Sequence, residues 1–112
     1  MRVALVAFED AAFRAQLEER GASVSDLSPG LDLLFYRVDR PADLLRISEL
    51  RPLIHDAGAI WVLRVKGPGL TVREVDVIEA GRAFQLVDNK IASFSDTLAA
   101  MRLVVPLNQR RR

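Results

Sequence analysis

AIWVLRVKGPGLT, residues 59–71, contains the most strand-like run of the chain, followed by a turn and the predicted start of a helix. Ala59–Val65 is an apolar run with β-branched residues, which is typical of a buried β-strand. Pro68–Gly69 supplies turn residues, and Thr71 with Glu74 fits the capping box Thr-x-x-Glu at a helix N-terminus. A strand, a glycine-bearing turn with a lysine and a helix N-terminus are also the parts of phosphate-binding loops, so the stretch is a candidate anion site.

The hydrophobic pattern alternates between strand and helix periods on both sides of this stretch. The predicted strands are residues 2–8, 22–27, 31–38, 59–65, 86–94 and 100–107. The predicted helices are residues 10–20, 42–57 and 71–84, and Pro52 should kink or split the second of them. Because strands and helices alternate, we predict an α/β fold with a mostly parallel sheet and helices on its faces. A short turn joins the last two strands, which predicts a C-terminal antiparallel hairpin.

Length and composition indicate one globular domain. The chain has 112 residues, of which 50% are hydrophobic and 28% are charged. This length allows one core, so we expect a single α/β domain over residues 1–107 and a basic tail over residues 108–112. No apolar run approaches the roughly 18 residues that a membrane span needs, and the N-terminus has no signal-peptide pattern. We therefore expect a cytoplasmic protein with no membrane partner.

Several classes of site are excluded by residue content. Cysteine is absent and His55 is the only histidine, which excludes disulfides, thiolate metal sites and a zinc site built from histidines. The net charge is +1, and Arg110–Arg112 supply three of the 16 basic residues. Without them the 15 acidic residues outnumber the basic ones, so we do not expect a nucleic-acid-binding face. No paired carboxylates or activated nucleophile occur at a recognisable spacing, so we predict no catalytic residues and no metal site.

The stretch from Leu31 onward resembles the C-terminal half of the class I methyltransferase-like Rossmann fold. The similarity consists of an apolar strand with an early Asp32, the segment LRPLIHDAG at residues 50–58 and the strand AIWVLRVKG at residues 59–67. The resemblance implies a small Rossmann-like three-layer sandwich, with a mostly parallel sheet that ends in the antiparallel hairpin.

The chain also resembles a small uncharacterised bacterial family, a domain of unknown function. The shared features are the strand GxIWVLxxK at residues 58–66 and the ending SFSDTLAAMRLVVP at residues 93–106. The similarity covers about residues 30–106. Its motifs are structural, so it implies a shrunken version of the same fold and no particular activity.

The methyltransferase resemblance also implies a cofactor loop, from which this chain departs. Methyltransferases bind S-adenosylmethionine through a glycine-rich loop after the first strand and an acidic residue at the end of the second. Here the loop is Glu9–Ala12, without glycine and with two negative charges, while Asp26 matches the acidic residue. We therefore expect no cofactor. A reduced methyltransferase-like enzyme, or a nucleotide-binding protein that uses the crevice near Lys66, is the alternative interpretation.

The candidate ligand-binding residues all belong to the turn after the central strand and are Lys66, Gly67, Gly69 and Thr71. Lys66 ends the predicted strand and would face the crevice at which open α/β sheets bind ligands. The turn is not a Walker loop, because its lysine precedes the glycines and Pro68 removes one N–H donor. A purely structural turn, capped locally by Thr71 and Glu74, is the other interpretation.

Four further residues carry weaker predictions. His55 is predicted to lie at a helix C-terminus, where a cation interacts favourably with the helix dipole. Trp61 is predicted to fill the core or an interface rather than to stack on bases. Lys90 and Arg102 are expected on an exposed face of the sheet or, alternatively, along a pocket or partner surface.

These observations favour a small binding or assembly module without catalytic machinery. A domain of this size buries limited surface alone, so a homodimer through an edge strand or a helix face is a candidate assembly. The sequence does not identify a small-molecule ligand.

Overall fold

A computed structural model describes residues 1–109. Its strands are β1 (Arg2–Val6), β2 (Ser23–Val24), β3 (Leu31–Arg37), β4 (Ile54–Val65), β5 (Val87–Ser93) and β6 (Leu98–Val104). Its α-helices are α1 (Ala11–Glu19), α2 (Ile47–Leu50) and α3 (Glu74–Ala83). Four short 3₁₀ segments add Pro41–Arg46, Arg51–Leu53, Gly67–Gly69 and Leu107–Gln109. The predicted basic tail begins at 108, and its last three residues lie outside the described part of the chain.

The six strands form one sheet in the order β2-β1-β3-β4-β6-β5. β1 pairs in parallel with β2 and β3, and β3 pairs in parallel with β4. β6 is antiparallel to both β4 and β5, so the last two strands form a hairpin at one edge of the sheet. The predicted α/β class, with a mostly parallel sheet and a C-terminal antiparallel hairpin, is confirmed.

Alternating residues of the central strands divide the core between two faces. The α3 face carries Leu34 and Tyr36 of β3 and Ile60 and Val62 of β4, which pack with residues of α2 and α3. The α1 face carries other buried residues of the strands, namely Val3, Phe35, Leu63 and Ala100. On this face α1 contributes Phe13 and Leu17. The arrangement has three layers, with helices on both sides of the sheet. No helix within residues 1–109 is long and apolar enough to cross a membrane.

The predicted helix over residues 42–57 is wrong. The segment forms the 3₁₀ turn Pro41–Arg46, a single turn of α2 and a second 3₁₀ turn that contains Pro52. Proline lacks the N–H that a continuing helix needs, so the helix ends there. β4 then begins at Ile54, which places His55 on a strand and not at a helix C-terminus. The predicted capping role of His55 is therefore also wrong.

His55 instead binds Asp32 at the amino ends of β3 and β4. Its Nε2 lies 2.5 Å from Asp32 Oδ1, and its Nδ1 accepts the N–H of Ala57 at 3.1 Å. Because Nδ1 is an acceptor, Nε2 is the donor to the carboxylate. The backbone N–H of Arg2 donates to the other carboxylate oxygen of Asp32 at 2.6 Å. Asp32 thus links the starts of β1, β3 and β4.

Only glycine fits at position 58, where β3 and β4 resume their pairing after an irregular stretch of β4. Between Leu31 and Leu33 the partner positions on β4 move from Ile54 to Ala59. A Cβ at Gly58 would lie 2.9 Å from the backbone oxygen of Asp32 and 3.1 Å from two further backbone oxygens. A backbone contact of this kind cannot be relieved by moving a flexible side chain.

We expect Gly58→Ala to destabilise the protein by roughly 1–3 kcal/mol, the usual range for overpacking a rigid interior position. Urea unfolding measures this free energy. Gly69→Ala is the matched control, because its Cβ would meet only a side-chain carbon of Val65 at 3.7 Å and its φ is not in the left-handed region. Equal stability of the two variants would contradict the proposed role of Gly58.

A second prediction concerns Asp32 and pH. The N–H of Arg2 and then the hydrogen bond from His55 lower the pKa of Asp32 below its ordinary value. Its contribution to stability is therefore complete above the unfolded value of about 3.9 and is lost as the pH falls through the lower folded value. Asp32→Asn should unfold at lower urea than the native protein at pH 6, and the difference should shrink below pH of about 4. A difference that is constant with pH would contradict this.

Candidate functional site

The carboxyl ends of β1, β3 and β4 lie at one edge of the sheet because these strands are parallel. The loops that follow them, together with the β5–β6 turn, form what we call the carboxyl edge. The β5–β6 turn belongs here since β6 runs antiparallel to β4, and the backbone N–H of Lys66 donates to the carbonyl of Thr97 at 3.0 Å. Open α/β sheets bind ligands at this edge, so it is the candidate site.

Lys66 is bound to the β5–β6 hairpin. Its Nζ donates to Ser93 Oγ at 2.6 Å, and the Ser93 hydroxyl donates to the carbonyl of Ser95 at 3.2 Å. Ser93 lies 27 residues away in sequence and was not predicted as a site residue. Within residues 1–109, Lys66 forms no ion pair with a carboxylate. The ammonium therefore keeps two N–H donors that a ligand could engage.

The other three predicted site residues form the turn itself. Gly67 has φ +78, a left-handed conformation that favours glycine, and its carbonyl accepts the N–H of Leu70 at 3.1 Å. Gly69 ends this 3₁₀ turn. The Thr71 hydroxyl donates to the backbone carbonyl of Asp39, which joins the turn to the end of β3. These contacts support a structural role for the turn, and its binding of a ligand stays a prediction.

The predicted capping box of Thr71 and Glu74 is wrong. α3 begins at Glu74, and its N-cap is Arg73, whose N–H donates to Asp76 Oδ2 at 2.9 Å. Thr71 is two residues too early to cap this helix, and its hydroxyl is already engaged with Asp39. The extended backbone before Arg73 therefore separates the turn from the helix N-terminus. The strand, turn and helix do not form one continuous phosphate-binding loop.

The loop after β1 contains a left-handed residue that is not glycine. Ala7 has φ 57, a region in which an L-residue is strained by its Cβ. Asp10 then caps α1, accepting the N–H of Phe13 at 2.9 Å. No sequence signal predicts this bend, because alanine has no preference for the left-handed conformation. The chain thus makes with alanine the kind of sharp bend that a glycine-rich loop makes with glycine.

Three charged groups lie beside this loop. Glu9 binds Arg14 through both carboxylate oxygens, at 2.9 and 3.0 Å, and this hydrogen bonding lowers the pKa of Glu9. Asp26 follows β2, which pairs in parallel with β1, and the N–H of Ser25 donates to the carbonyl of Val3 at 2.9 Å. Asp26 therefore lies next to β1, just after the second strand, where the methyltransferase resemblance implies an acidic ribose contact.

Aromatic rings fill part of the space between the β1 loop and the β5–β6 turn. The rings of Phe8 and Phe94 are 5.5 Å apart between centroids, and those of Phe13 and Phe94 are 4.9 Å apart. A shallow cavity of about 330 Å³ remains beside them, with Asp10, Gln16, Ser93 and Ser95 among its lining residues. Phe8 and Phe94 end the predicted strands 2–8 and 86–94, but in the structure both lie beyond the ends of β1 and β5.

Within residues 1–109, no group of three or more histidine, aspartate and glutamate side chains is placed to hold a metal ion. The candidate site therefore consists of Lys66 with its serine partner, the bent loop at Ala7, the carboxylate of Asp26 and an aromatic wall.

Comparison with known proteins establishes the fold class. No protein-family model matches the chain, and no curated protein matches it significantly. Magnesium protoporphyrin IX methyltransferase from Synechocystis PCC 6803, with bound SAM, matches 93% of this chain with TM-score 0.73 and 11% identity. A methyltransferase of calicheamicin biosynthesis, with bound SAH, matches 94% with TM-score 0.68 and 13% identity. An O-methyltransferase of neocarzinostatin biosynthesis, with bound SAM, matches 94% with TM-score 0.62 and 11% identity.

The chain has the methyltransferase-like Rossmann fold. It spans 69% of the first of these structures and 49% of each of the other two. The predicted resemblance in fold is confirmed, and it extends beyond the C-terminal half of the fold to most of the chain. Membership of the small family of unknown function stays a prediction, because no family model matches.

Proposed function

We propose that this protein is a reduced methyltransferase-like protein that binds an adenosine-containing ligand at its carboxyl edge. The observation that carries the proposal is the left-handed bend at Ala7 between β1 and α1. Strained backbone of this kind concentrates at ligand-binding loops and persists where the surrounding structure holds it. The proposal replaces our expectation of no cofactor, which rested on the missing glycines and the two negative charges of the loop after β1.

The residues at the edge fit an adenosine group in two respects. Asp26, just after β2 and next to β1, offers a carboxylate that can accept hydrogen bonds from the ribose hydroxyls. Lys66 keeps N–H donors for an anionic substituent such as a phosphate or the carboxylate of an amino acid. Bound S-adenosylmethionine would supply an electrophilic methyl group. The proposal concerns binding by these residues and assigns no transfer reaction.

A second candidate function is the noncatalytic binding or assembly module predicted from the sequence. The observation in its favour is the contact between Phe8 and Phe94, whose rings occupy space that an edge-bound ligand would need. On this view the domain of residues 1–107 acts in the cytoplasm through its surface, and a homodimer is the first assembly to test. Sedimentation at micromolar concentration would measure that assembly.

Calorimetric titration with S-adenosylmethionine and with adenosine tests the leading proposal. We expect both to bind, and Asp26→Asn to weaken both by about tenfold, because a charged acceptor of hydrogen bonds is lost. Asp88→Asn is the matched control, since Asp88 lies on β5 at the opposite edge of the sheet from β2. No measurable binding of either compound at millimolar concentration would reject the proposal and favour the assembly module.

Lys66 can be tested separately with AMP and adenosine. Native protein should prefer AMP, and Lys66→Ala should remove the preference while leaving adenosine binding unchanged, because only the phosphate needs the ammonium. Lys90 is the only other lysine of the chain and provides the matched control, Lys90→Ala. Loss of AMP preference in both variants would indicate a general charge effect and would remove Lys66 from the site.

A further inference from the structure

A second cavity lies on the α1 face and shares Phe13, Ser93 and Phe94 with the cavity at the carboxyl edge. It has a volume of about 280 Å³, and we call it the aromatic pocket, defined by Phe13, Phe35, Trp61, Phe94 and Arg20. Trp61 lies in the middle of β4, and Arg20 follows the last residue of α1. α1 starts near the carboxyl edge and ends far from it, so Arg20 marks the end of the pocket that is remote from the proposed adenosine site.

The rings of the aromatic pocket present both flat surfaces and edges. Phe35 and Trp61 are nearly parallel, with 7° between their planes and 6.4 Å between centroids. Phe13 meets Phe35 edge to face at 4.9 Å, and Phe94 meets Phe13 at the same distance. Phe35 is buried beneath Phe13, whereas Trp61 is only partly buried, so a planar ring can stack on Trp61 and contact Phe13 and Phe94, which are favourable aromatic arrangements.

Small residues leave room for such a ring. Ala92 of β5 and Ala100 of β6 are directly paired across the hairpin, and both line the pocket. The volume lies just below the range of pockets for drug-sized molecules, about 300–1,000 Å³. The pocket therefore suits a molecule of one or two rings.

The charges around the aromatic pocket are positive. Arg20 lines it, Arg102 is directly paired with Trp61 on the same sheet face, and Lys90 is paired with Arg102. Among residues 1–109, no carboxylate lines the pocket. In the part of the chain that the structure describes, these three cations form no ion pair, whereas five other arginines bind carboxylates: Arg14, Arg37, Arg40, Arg64 and Arg73.

We propose that the aromatic pocket binds a small planar aromatic carboxylate, with its ring against Trp61 and its carboxylate at Arg20. Aromatic walls with a single charged group to orient the ligand are the usual composition of a small-molecule site. The positive charge of Arg20 favours an anionic ligand over a neutral ring, and the small side chains of Ala92 and Ala100 leave room for the ring. This site adjoins the proposed adenosine site at the carboxyl edge, but Arg20, its charged residue, lines only the aromatic pocket.

Titration with 2-naphthoate tests the proposal, using the full chain labelled with ¹⁵N. Trp61 is the only tryptophan, so its indole N–H gives a single NMR signal that reports directly on the aromatic pocket. We expect this signal to shift on addition of 2-naphthoate. Naphthalene-2-carboxamide has the same shape without the charge and should bind about fivefold more weakly. Octanoate, which has the charge without the ring, should also bind more weakly.

Arg20→Gln should reduce the affinity for 2-naphthoate to that for the carboxamide. Arg82→Gln is the matched control, since Arg82 is an exposed arginine in the last turn of α3, the helix of the other sheet face. Asp26→Asn should leave the affinity for 2-naphthoate unchanged, which separates this site from the adenosine site.

Three results would overturn the proposal. The first is an indole signal that does not shift at millimolar 2-naphthoate. The second is a sign of nonspecific binding, seen either as equal affinity for 2-naphthoate and the carboxamide or as an equal effect of Arg20→Gln and Arg82→Gln. The third is an indole signal that depends on protein concentration without ligand, which would show that a second copy of the chain covers the aromatic pocket.

Discussion

The pairing of β3 with β4 at Gly58 is the constraint on which the rest of the structure depends. Gly58 has no Cβ, so three backbone oxygens can surround it and the two central strands can approach after the irregular stretch at His55. The register fixed there places Ile60 beside Leu34 and Trp61 beside Phe35. Because side chains alternate between faces along a strand, this one register decides the content of both halves of the core.

The positions of strands were predictable where apolar runs were long enough to be buried, because a strand covered on both faces needs a nearly continuous apolar run. β3 lies within its predicted strand, β4 extends its own toward the N-terminus, and β6 overlaps the predicted strand 100–107 but begins and ends earlier. The helix over residues 42–57 failed for a related reason. Ile47, Leu50 and Ile54 keep helical spacing, yet Ile54 is buried as the first residue of β4, paired with Leu31. Burial of apolar residues at helical spacing does not require a helix.

The candidate site was predictable only in part, since its contacts are between residues distant in sequence. Lys66 could be placed at the end of a strand, but its partner Ser93 depends on how β5 and β6 fold back beside β4. Thr71 matched a capping pattern, yet Asp39 offers its hydroxyl a carbonyl at the end of β3. The bend at Ala7 was not predictable, because the surrounding fold imposes a conformation that alanine does not favour.

The two faces of the sheet are covered in different ways, and this difference bears on where cavities lie. On the α3 face, aliphatic residues from two helices and their flanking turns close the core. On the α1 face one nine-residue helix leaves part of the cover to the rings of Phe8, Phe94 and Trp61. The aromatic pocket lies on this side, where aromatic residues take the place of a second helix. Within residues 1–109 the nearby cations Arg20, Arg102 and Lys90 form no ion pair, so the charge beside the pocket is positive.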